Sequence, residues 1–555
     1  MSREPLQGAT AAVLIVPPFA EEMNKSRRMI TQVASRLAEH GIATVLPDLY
    51  GTGDSDGDFA EADWIGWRED LRLVCRWCDA HVAPVTAILA IRLGCALAVA
   101  ALDAGKLASI ERTVLWQPVF DGKRFLGQLL RLRQAANLMS RDSTETPAQL
   151  RARLAAGETL EVAGYGLSSK LAEQLDGVAV PAALPATLGR VRWLELVREA
   201  GAELPPPSAR LIDATRKHGI PIDVATFTGE PFWAAVEIAS NEQMIDATVA
   251  ALSNLAVSRA TERRSQVIEM STHAETSITF ACNGVDLVGV LHRARGEQQA
   301  FGVVIIVGGP QYRVGSHRQF VLQARALAAA GYPVLRFDYR GMGDSGGEPR
   351  TFESIEDDVR AAIDALLEYA PALRGVFLFG LCDAASAALM YASSDARVSG
   401  LIVANPWVRT SVGQAKTIVR HYYAQRFLQR SFWKKVFAGD LRMFQAVRGL
   451  VGAWRLARQK TGAPAAANER GFLERMLAGL EMLRVPILIL ISEHDLTAQE
   501  FTDLCKESPR WARACSGTHV RKSILAGADH TFSSHAALSH VNEITAQWLG
   551  AARQG

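Results

Sequence analysis

A cysteine stands where the sequence predicts a sharp turn between a buried strand and a helix. Cys382 lies in the segment 380–384, GLCDA, after the apolar run VFLF and before the helix-forming run ASAALM. Small residues at Gly380 and Ala384 let a strand and a helix approach closely enough to make such a turn. The pattern predicts a nucleophile elbow, with the thiol exposed at a helix N-terminus and poised to form a covalent intermediate.

An acid and a base follow Cys382, each after a run typical of a buried strand. Asp495 comes just past the apolar run 485–491, and His530 follows the run 523–525. In the triad that we predict, His530 takes the thiol proton, while Asp495 orients the imidazole and stabilises its charged form. The chain order of nucleophile, acid and histidine is the one expected for an elbow of this kind.

Two neighbours of these residues are rivals for the same roles. His494 precedes Asp495, and Asp529 precedes His530. We prefer Asp495 over Asp529 because it lies past the preceding strand, which is the acid's usual place in this chain order. His494 is interpreted as a loop histidine.

Backbone amides that could stabilise an oxyanion are predicted in two places. One is the amide of Asp383, directly after the nucleophile, and the other is the glycine-bearing loop that begins at Gly308 and Gly309, after the apolar run 303–307. Which amide of the loop donates stays open, although Pro310 has no N–H. Further along the chain, Gln311 and Trp407 are expected to contact the substrate or the cap above it.

The chain contains an internal repeat. Asp48–Ser55 is DLYGTGDS and Asp338–Ser345 is DYRGMGDS, an offset of 338 − 48 = 290. Self-similarity over this distance predicts two copies of one domain. The shared Asp and Gly residues are interpreted as a tight structural turn, since they occur in both copies.

The first copy lacks the residues of the triad. The offset places Arg92 opposite Cys382, and matching the later strands places Gly201 opposite Asp495 and Pro231 opposite His530. Arginine cannot be deprotonated at useful pH, and neither glycine nor proline offers a side-chain acid or base. The first copy is therefore predicted to be a degenerate domain with a binding or stabilising role.

Length and composition fit two globular domains. The 555 residues are 49% hydrophobic with a formal net charge of +2, which does not indicate nucleic acid binding. We predict a first domain at 1–255, a linker at 256–272 and a second domain at 273–555, and we expect the two domains to pack on each other. Asn283 is predicted to begin the turn of a hairpin that opens the second domain.

A basic helical insertion is predicted at about 406–483. Proteins built around a nucleophile elbow of this kind carry a cap over the active site at this place in the chain. It interleaves cations with aromatic residues: Lys416, Arg420, Arg426, Arg430, Phe432, Trp433, Lys434, Lys435, Phe437, Arg442, Phe444, Arg448, Trp454, Arg455, Arg458 and Lys460. One interpretation is a lid that binds an anionic substrate or an acidic membrane surface. The other is a solvated helical face whose aromatic residues pack on the sheet.

Neither a membrane span nor a metal site is predicted. The apolar stretch 82–102 is interrupted by Pro84 and Arg92 and is explained by the repeat as a buried strand and helix. Seven cysteines without a secretory signal indicate a cytoplasmic protein without a disulfide framework. Cys75 and Cys78 lack the second pair that a zinc site needs, and no cofactor is expected.

Two parts of the chain resemble a known group of proteins. PPFAEEMNKSRR at 17–28 resembles the type 2 exosortase A system-associated hydrolases, whereas GGPQYR at 308–313 and GLCDA at 380–384 resemble the type 1 group. The resemblance covers most of both halves. It implies the α/β fold class, with tandem α/β-hydrolase domains, each a mostly parallel, doubly wound sheet with a helical cap insertion.

The same resemblance implies that the protein occurs in bacteria that make exopolysaccharide and sort proteins to their surface, but it does not identify a substrate. The chain departs from the group in being a fusion and in having no recognisable leading hairpin before Val13. Its thiol nucleophile is also similar to that of dienelactone hydrolases.

These observations predict a hydrolase that cleaves an ester, thioester or lactone of a small acyl substrate through Cys382. Two alternatives stay open. An acyltransferase would use the same triad, because a thioester intermediate can pass its acyl group to a nucleophile other than water. In the other alternative the whole chain is a non-catalytic scaffold, since the first copy indicates that the fold persists without a triad.

Overall fold

The computed structural model describes residues 11–105, 110–140, 145–235, 238–253, 273–294, 297–309, 311–409 and 465–552, besides 2–3, 9, 107, 255 and 267–269. These residues form two compact units. The first comprises Met1–Ile268 with the short segments Pro310–Leu322 and Gly341–Gly347, and the second comprises the rest of the chain. Apart from 267–269, the predicted linker lies outside the described residues, as does 410–464 of the predicted cap.

The first unit is built on a seven-stranded sheet in the order β1-β3-β2-β4-β5-β8-β9. Its strands, with the separate hairpin β6-β7, are β1 (Ser2–Arg3), β2 (Ala11–Val16), β3 (Ile42–Val45), β4 (Val85–Ile91), β5 (Arg112–Trp116), β6 (Leu160–Val162), β7 (Tyr165–Leu167), β8 (Arg190–Val197) and β9 (Ile222–Thr228). Apart from β1, neighbouring strands of this sheet run parallel. The two-residue β1 pairs antiparallel with β3.

Helices connect these strands and cover the sheet. They are α1 (Glu21–Glu39), α2 (Trp64–His81), α3 (Gly94–Asp103), α4 (Gly122–Ser140), α5 (Pro147–Ala155), α6 (Ser169–Asp176), α7 (Pro206–Lys217) and α8 (Glu242–Leu252). Alternate residues of β2 belong to two separate apolar cores, Leu14 to one and Val13 and Ile15 to the other. Because side chains alternate across a strand, the sheet is buried on both faces.

The second unit has a sheet in the order β10-β11-β12-β14-β13-β15-β16-β17-β18. The strands are β10 (Val267–Glu269), β11 (His273–Cys282), β12 (Val285–Ala294), β13 (Phe301–Ile306), β14 (Val334–Asp338), β15 (Gly375–Leu381), β16 (Val398–Ala404), β17 (Ile487–Ser492) and β18 (Val520–Leu525). The predicted hairpin is confirmed, since β11 and β12 pair antiparallel around Asn283 and Gly284. Both turn residues have positive φ, as a tight two-residue hairpin requires.

The remaining helices follow in chain order. They are α9 (Gln319–Ala329), α10 (Glu356–Tyr369), α11 (Asp383–Tyr391), α12 (Ala465–Met482), α13 (Leu496–Glu507), α14 (Pro509–Ala514) and α15 (His535–Ala552). None of the described helices is both long enough and apolar enough to cross a bilayer. The predicted α/β class is confirmed, and parallel strands in both sheets bring their carboxyl ends to one edge, where catalytic loops gather in such folds.

Candidate active site

Cys382 occupies a strained backbone turn between β15 and α11. Its φ of 62° and ψ of −122° are unfavourable for any residue with a side chain. Two backbone hydrogen bonds hold the turn: the Cys382 N–H donates to the Ala404 carbonyl at 2.9 Å, and the Trp407 N–H donates to the Cys382 carbonyl at 3.1 Å. Strain that its surroundings maintain in this way is typical of functional sites.

His530 lies between the thiol and a carboxylate. Its Nδ1 is 2.8 Å from Oδ2 of Asp495, and the ring also makes a side-chain hydrogen bond with Cys382. Because an imidazole has only two ring nitrogens, Nε2 is the one left for the sulfur. The structure thus brings together the three residues predicted as nucleophile, base and acid.

Backbone groups in the first turn of α13 hold the side chain of Asp495 in place. Asp495 is the N-cap of α13, and its carboxylate accepts hydrogen bonds from the backbone N–H groups of Thr497 and Ala498, each at 3.1 Å. Favourable capping fixes the side chain without using the oxygen lone pair that faces His530. The acid is therefore oriented before any substrate binds.

Charges in the site favour a protonated imidazole, whereas the pKa of the Cys382 thiol lies above its ordinary value. Burial disfavours the charged ring, but the hydrogen bonds to Asp495 and Cys382 outweigh it and raise the pKa of His530 to about 10. Burial raises the pKa of the Cys382 thiol, and the negative charge of Asp383 adds to this, whereas the hydrogen bond with His530 lowers it. The imidazolium between two anions is the form that exists after proton transfer.

The two rival residues have other roles in the structure. The Asp529 carboxylate accepts a hydrogen bond from the Ser533 backbone N–H at 2.8 Å and another from the Ser533 hydroxyl, so it closes a local turn. His494 is solvent-exposed. The choice of Asp495 over Asp529 agrees with this geometry.

The loop predicted to form the oxyanion hole makes contacts with the side chain of Asp383. The Gly309 N–H lies 3.0 and 3.1 Å from the two carboxylate oxygens, and the Ala384 N–H donates to Oδ1 at 2.9 Å. A Cβ on Gly308 would lie 2.1 Å from Oδ1, so only glycine permits this approach. Burial raises the pKa of Asp383, and these two N–H groups oppose the rise. Sequence reasoning considered only the backbone of Asp383 and missed its carboxylate.

Asn405 is a further residue of the site that sequence reasoning missed. It is fully buried, and its side-chain amide donates to the His530 carbonyl at 3.0 Å and to the Ser492 hydroxyl at 2.9 Å. Its Oδ1 accepts from the Ser492 N–H at 2.8 Å. Asn405 therefore ties the end of β17 to the histidine loop. A polar residue directly after the buried strand β16 was the available signal.

The two residues predicted to contact substrate or cap belong to different units. Trp407 lies in the second unit beside the elbow, with the guanidinium of Arg409 4.6 Å from its ring centre. Gln311 belongs to the first unit, where its amide donates to the Ser316 hydroxyl at 2.6 Å. Substrate contact by either residue stays a prediction.

The first unit has the same elbow geometry with an arginine at its apex. Arg92 has a φ of 55°, its N–H donates to the Trp116 carbonyl at 2.9 Å, and its carbonyl accepts from the Val119 N–H at 3.1 Å. The guanidinium pairs with Glu22 at 3.0 Å and lies 4.5 Å from the ring centre of Trp233. A cation held in this way offers no nucleophile.

Strand register corrects the two other predicted equivalences. In one sheet the Gln117 N–H donates to the Leu194 carbonyl, and in the other the Asn405 N–H donates to the Leu490 carbonyl, both at 2.9 Å. At this register Glu199, not Gly201, lies as many residues past the matched strand position as Asp495 does (490 − 194 = 495 − 199), and β8 continues to Val197 where β17 ends at Ser492.

The strand pairs Leu194 with Ala225 and Leu490 with Ser523 likewise place Phe232, not Pro231, opposite His530 (523 − 225 = 530 − 232). The local sequence match is out of register with the strand pairs by two residues at β8 and by one residue at β9. Glu199 is exposed and Phe232 is buried, so no acid–base pair faces Arg92 at these positions. Within the described ranges, no cluster of three or more His, Cys, Asp or Glu side chains is arranged to hold a metal ion.

Comparisons with known proteins agree with the fold. Residues 303–540 match the family described as "Alpha/beta hydrolase family", whereas no curated protein matches the chain. An esterase of Pyrococcus furiosus, Pf2001, is 16% identical with a TM-score of 0.35, and the match covers 50% of this chain and 90% of that one.

Two further solved structures have similar scores. Est1E of Butyrivibrio proteoclasticus, with ferulic acid bound, is 14% identical with a TM-score of 0.34 over 50% of this chain and 100% of that one. An alpha-beta serine hydrolase homologue from Coxiella burnetii is 16% identical with a TM-score of 0.32 over 51% and 100%. At these scores the likenesses carry no argument about activity. Strand order, the elbow and the family match together establish that this chain has the α/β-hydrolase fold.

Proposed function

We propose that the second unit is a cysteine-dependent hydrolase that cleaves an ester, thioester or lactone through a covalent acyl-enzyme. The observation that carries the proposal is the strained elbow of Cys382 in hydrogen-bonding reach of His530, which Asp495 orients at 2.8 Å. Nucleophile, base and orienting acid in this mutual arrangement are the parts that acyl transfer needs.

In the acylation step His530 takes the proton of the thiol, and the sulfur attacks the substrate carbonyl. A carbon–sulfur bond forms, and the carbonyl π electrons move onto oxygen. When the tetrahedral intermediate collapses, the bond to the leaving group breaks and the imidazolium returns the proton to that group. Asp495 keeps the ring in the orientation that both proton transfers require.

In the deacylation step His530 removes a proton from water, which attacks the thioester carbon. The acid is released as the carbon–sulfur bond breaks, and the sulfur regains its proton from the imidazolium. Another nucleophile in place of water would make the enzyme an acyltransferase, so the products decide between the two activities. The proposal also includes a cytoplasmic location and a link to exopolysaccharide export. Both parts rest on the sequence alone.

The amides around Asp383 complete the proposal. The Asp383 N–H slightly opposes the rise in the thiol pKa that burial causes. As the amide directly after the nucleophile, it is the first donor that we assign to the oxyanion. The Gly309 N–H becomes available to that oxygen only when the Asp383 carboxylate releases it. Substrate binding therefore has to displace this carboxylate for the second donor to act.

Hydrolysis of p-nitrophenyl acetate tests the proposal. Cys382→Ala and His530→Gln should each lower kcat/KM by about a thousandfold or more, because members of a triad act as a unit. Cys75→Ala and His494→Gln are the matched controls and should hydrolyse the ester at the wild-type rate. Full activity in Cys382→Ala, or no activity in the wild type towards oxygen esters, thioesters and lactones, would refute the proposal.

Mass spectrometry of the intact protein identifies the intermediate. A slow acylating agent such as a β-lactone should add its full mass to the wild type, and peptide mapping should find the adduct on Cys382. Adding hydroxylamine or an alcohol during turnover distinguishes hydrolysis from acyl transfer by the product formed. An adduct on another cysteine would remove Cys382 from the mechanism.

A further inference from the structure

Two cysteines outside the candidate active site lie side by side in the second unit. Cys505 is in the last turn of α13, and Cys515 directly follows α14. Their sulfur atoms are 3.4 Å apart, within hydrogen-bonding distance. Both residues are partly exposed, so small solutes can reach the two thiols.

The packing of the two helices holds these sulfurs together. Trp511 of α14 is buried and meets the ring of Phe501 of α13 edge to face, with 6.0 Å between the ring centres. Each cysteine follows one of these rings by four residues, Cys505 after Phe501 and Cys515 after Trp511, so each is about one helical turn from the contact. The Cys515 N–H also donates to the Trp511 carbonyl at 2.9 Å. The folded structure therefore brings the thiols together.

A disulfide between the two cysteines requires only a small movement. The sulfurs are 3.4 Å apart and a disulfide bond is about 2.05 Å long, so they must approach each other by about 1.4 Å. Cys505 and Cys515 lie at helix ends, where the backbone adjusts more easily than in a helix interior. The bond can therefore form without a rearrangement of the fold.

The pair also contains a thiol that ionises readily. The hydrogen bond with Cys515 lowers the pKa of Cys505, burial opposes this, and the positive charge of Lys522 on β18 lowers the pKa further. The pKa of Cys515 is raised, because its proton is held in the same hydrogen bond and because it is partly buried. Burial raises the pKa of Cys75 and of Cys78 to about 12. Since the thiolate is the reactive form of cysteine, Cys505 is the more reactive of these thiols.

We propose that Cys505 and Cys515 are a modification site, at which a peroxide oxidises the two thiols to a disulfide and a dithiol reductant restores them. The disulfide joins the end of α13 to the end of α14. Such a bond is reversible, and in a reducing compartment it is a transient redox feature and not part of a permanent framework. The proposal uses neither Cys382 nor His530, so it does not depend on the proposed hydrolase activity.

The oxidation balances with one molecule of hydrogen peroxide. The thiolate of Cys505, whose proton has passed to solvent, attacks one peroxide oxygen. A sulfur–oxygen bond forms, the oxygen–oxygen bond breaks, and the departing hydroxide takes up a proton to become water. The Cys515 sulfur then attacks the sulfenic acid, so the disulfide forms as the sulfur–oxygen bond breaks, and hydroxide leaves with the Cys515 proton as a second water. The two sulfurs are oxidised, and the peroxide oxygens are reduced.

Peroxide treatment of the full chain followed by mass spectrometry tests the proposal. Hydrogen peroxide is added to the wild type and to Cys382→Ala until two thiols per molecule are lost, and the remaining thiols are blocked with N-ethylmaleimide. Because trypsin cuts after Lys506 and Arg513, a disulfide should join the otherwise separate peptides 485–506 and 514–521 in both proteins. Dithiothreitol should separate the peptides again. If Cys382→Ala loses its thiols elsewhere while both peptides stay alkylated, the proposal is overturned.

Removing the second cysteine distinguishes a pair from two independent thiols. In Cys515→Ser the oxidised Cys505 has no partner, so dimedone should trap a sulfenic acid on Cys505 that the wild type does not accumulate. Cys75→Ala removes another partly exposed cysteine and should form the disulfide like the wild type. Equal labelling of Cys505 by dimedone in the wild type and in Cys515→Ser would overturn the proposal.

Phenylarsine oxide gives a readout on the wild type that needs neither a variant nor an oxidant. Trivalent arsenic binds two neighbouring thiols at once, so it should bridge peptides 485–506 and 514–521 and protect both of their cysteines from N-ethylmaleimide. Dimercaptopropanol should remove the arsenic and the protection. Alkylation of both cysteines at the same rate with and without the arsenical would show that the sulfurs do not come together, which would also overturn the proposal.

Discussion

Cys382 shares its surroundings with one imidazole and two carboxylates, and the two carboxylates act in opposite directions. Asp495 acts through His530, whose charged form it stabilises at 2.8 Å. Burial is the largest cause of the raised pKa of the thiol, and the negative charge of Asp383 raises it further. The reactivity of the sulfur is therefore a balance between a distant carboxylate that favours the thiolate and a near one that opposes it.

Asp495→Asn should lower kcat for ester hydrolysis by about a hundredfold to ten-thousandfold, because an amide at this position favours the wrong imidazole tautomer. The loss of a negative partner should also lower the pKa of His530. Ester hydrolysis measured across pH reports both effects. Asp529→Asn is the matched control, because its carboxylate holds Ser533 and not the triad, and it should stay within a few-fold of the wild type. Equal losses in the two variants would refute the assignment of the acid.

Asp383→Asn should lower the pKa of the Cys382 thiol. The side chain keeps its size and its carbonyl oxygen can still accept the Gly309 N–H, but the charge that opposes ionisation is gone. The rate of alkylation by iodoacetamide, followed from pH 6 to 10, should reach its midpoint at a lower pH than in the wild type. Asp286→Asn, at an exposed position on β12, should leave the profile unchanged. A midpoint that moves upwards would contradict this electrostatic account.

The close approach of β15 and α11 makes the elbow possible. A Cβ placed on Gly380 would lie 2.5 Å from the Ala384 carbonyl oxygen and 2.7 Å from the Ala385 nitrogen. Both are backbone atoms, so no change of side-chain rotamer can relieve the clash. The glycine is thus required by the packing of a strand against its own following helix, and the strained φ of Cys382 is a consequence of that packing.

Gly380→Ala should destabilise the second unit by about 1–3 kcal/mol, because the added methyl group forces the strand and the helix apart. It should also reduce esterase activity through displacement of Cys382. Gly471→Ala on α12 is the matched control, with nothing within 4 Å of the added Cβ, and it should stabilise by about 0.5–1 kcal/mol. Chemical denaturation followed by circular dichroism measures both. An unchanged free energy of unfolding in Gly380→Ala would mean that the elbow tolerates a wider separation of β15 and α11.

The pattern of strands, the elbow and the proximity of Cys382, His530 and Asp495 could be predicted because each leaves a local mark on the chain. Cys382 follows a buried strand with small residues on either side, and Asp495 and His530 each follow another strand. Asn405 could not be assigned a role, since its hydrogen bonds reach residues 87 and 125 positions away. The carboxylate of Asp383 was missed for the same reason: its partner, Gly309, lies 74 positions earlier.

Over the whole chain, the two copies share the backbone geometry of the elbow but not the side chain at its apex. The backbone hydrogen bonds of the elbow recur with nearly the same lengths at Arg92 and Cys382. The partner of Arg92 is the half-buried Glu22, whose pKa is raised by burial, while the arginine beside it opposes the rise. This ion pair is formed at the position in the first unit that corresponds to Cys382.

Placing a thiol at the first elbow should not create an enzyme. Arg92→Cys combined with Cys382→Ala should hydrolyse p-nitrophenyl acetate no faster than Cys382→Ala alone, because the positions opposite His530 and Asp495 hold Phe232 and the exposed Glu199. Loss of the guanidinium leaves the Glu22 carboxylate without its partner and should cost about 1–3 kcal/mol of unfolding free energy. Arg92→Lys keeps a cation there and should recover part of this loss. Ester hydrolysis by the double variant above the Cys382→Ala rate would mean that the first unit still contains a working base.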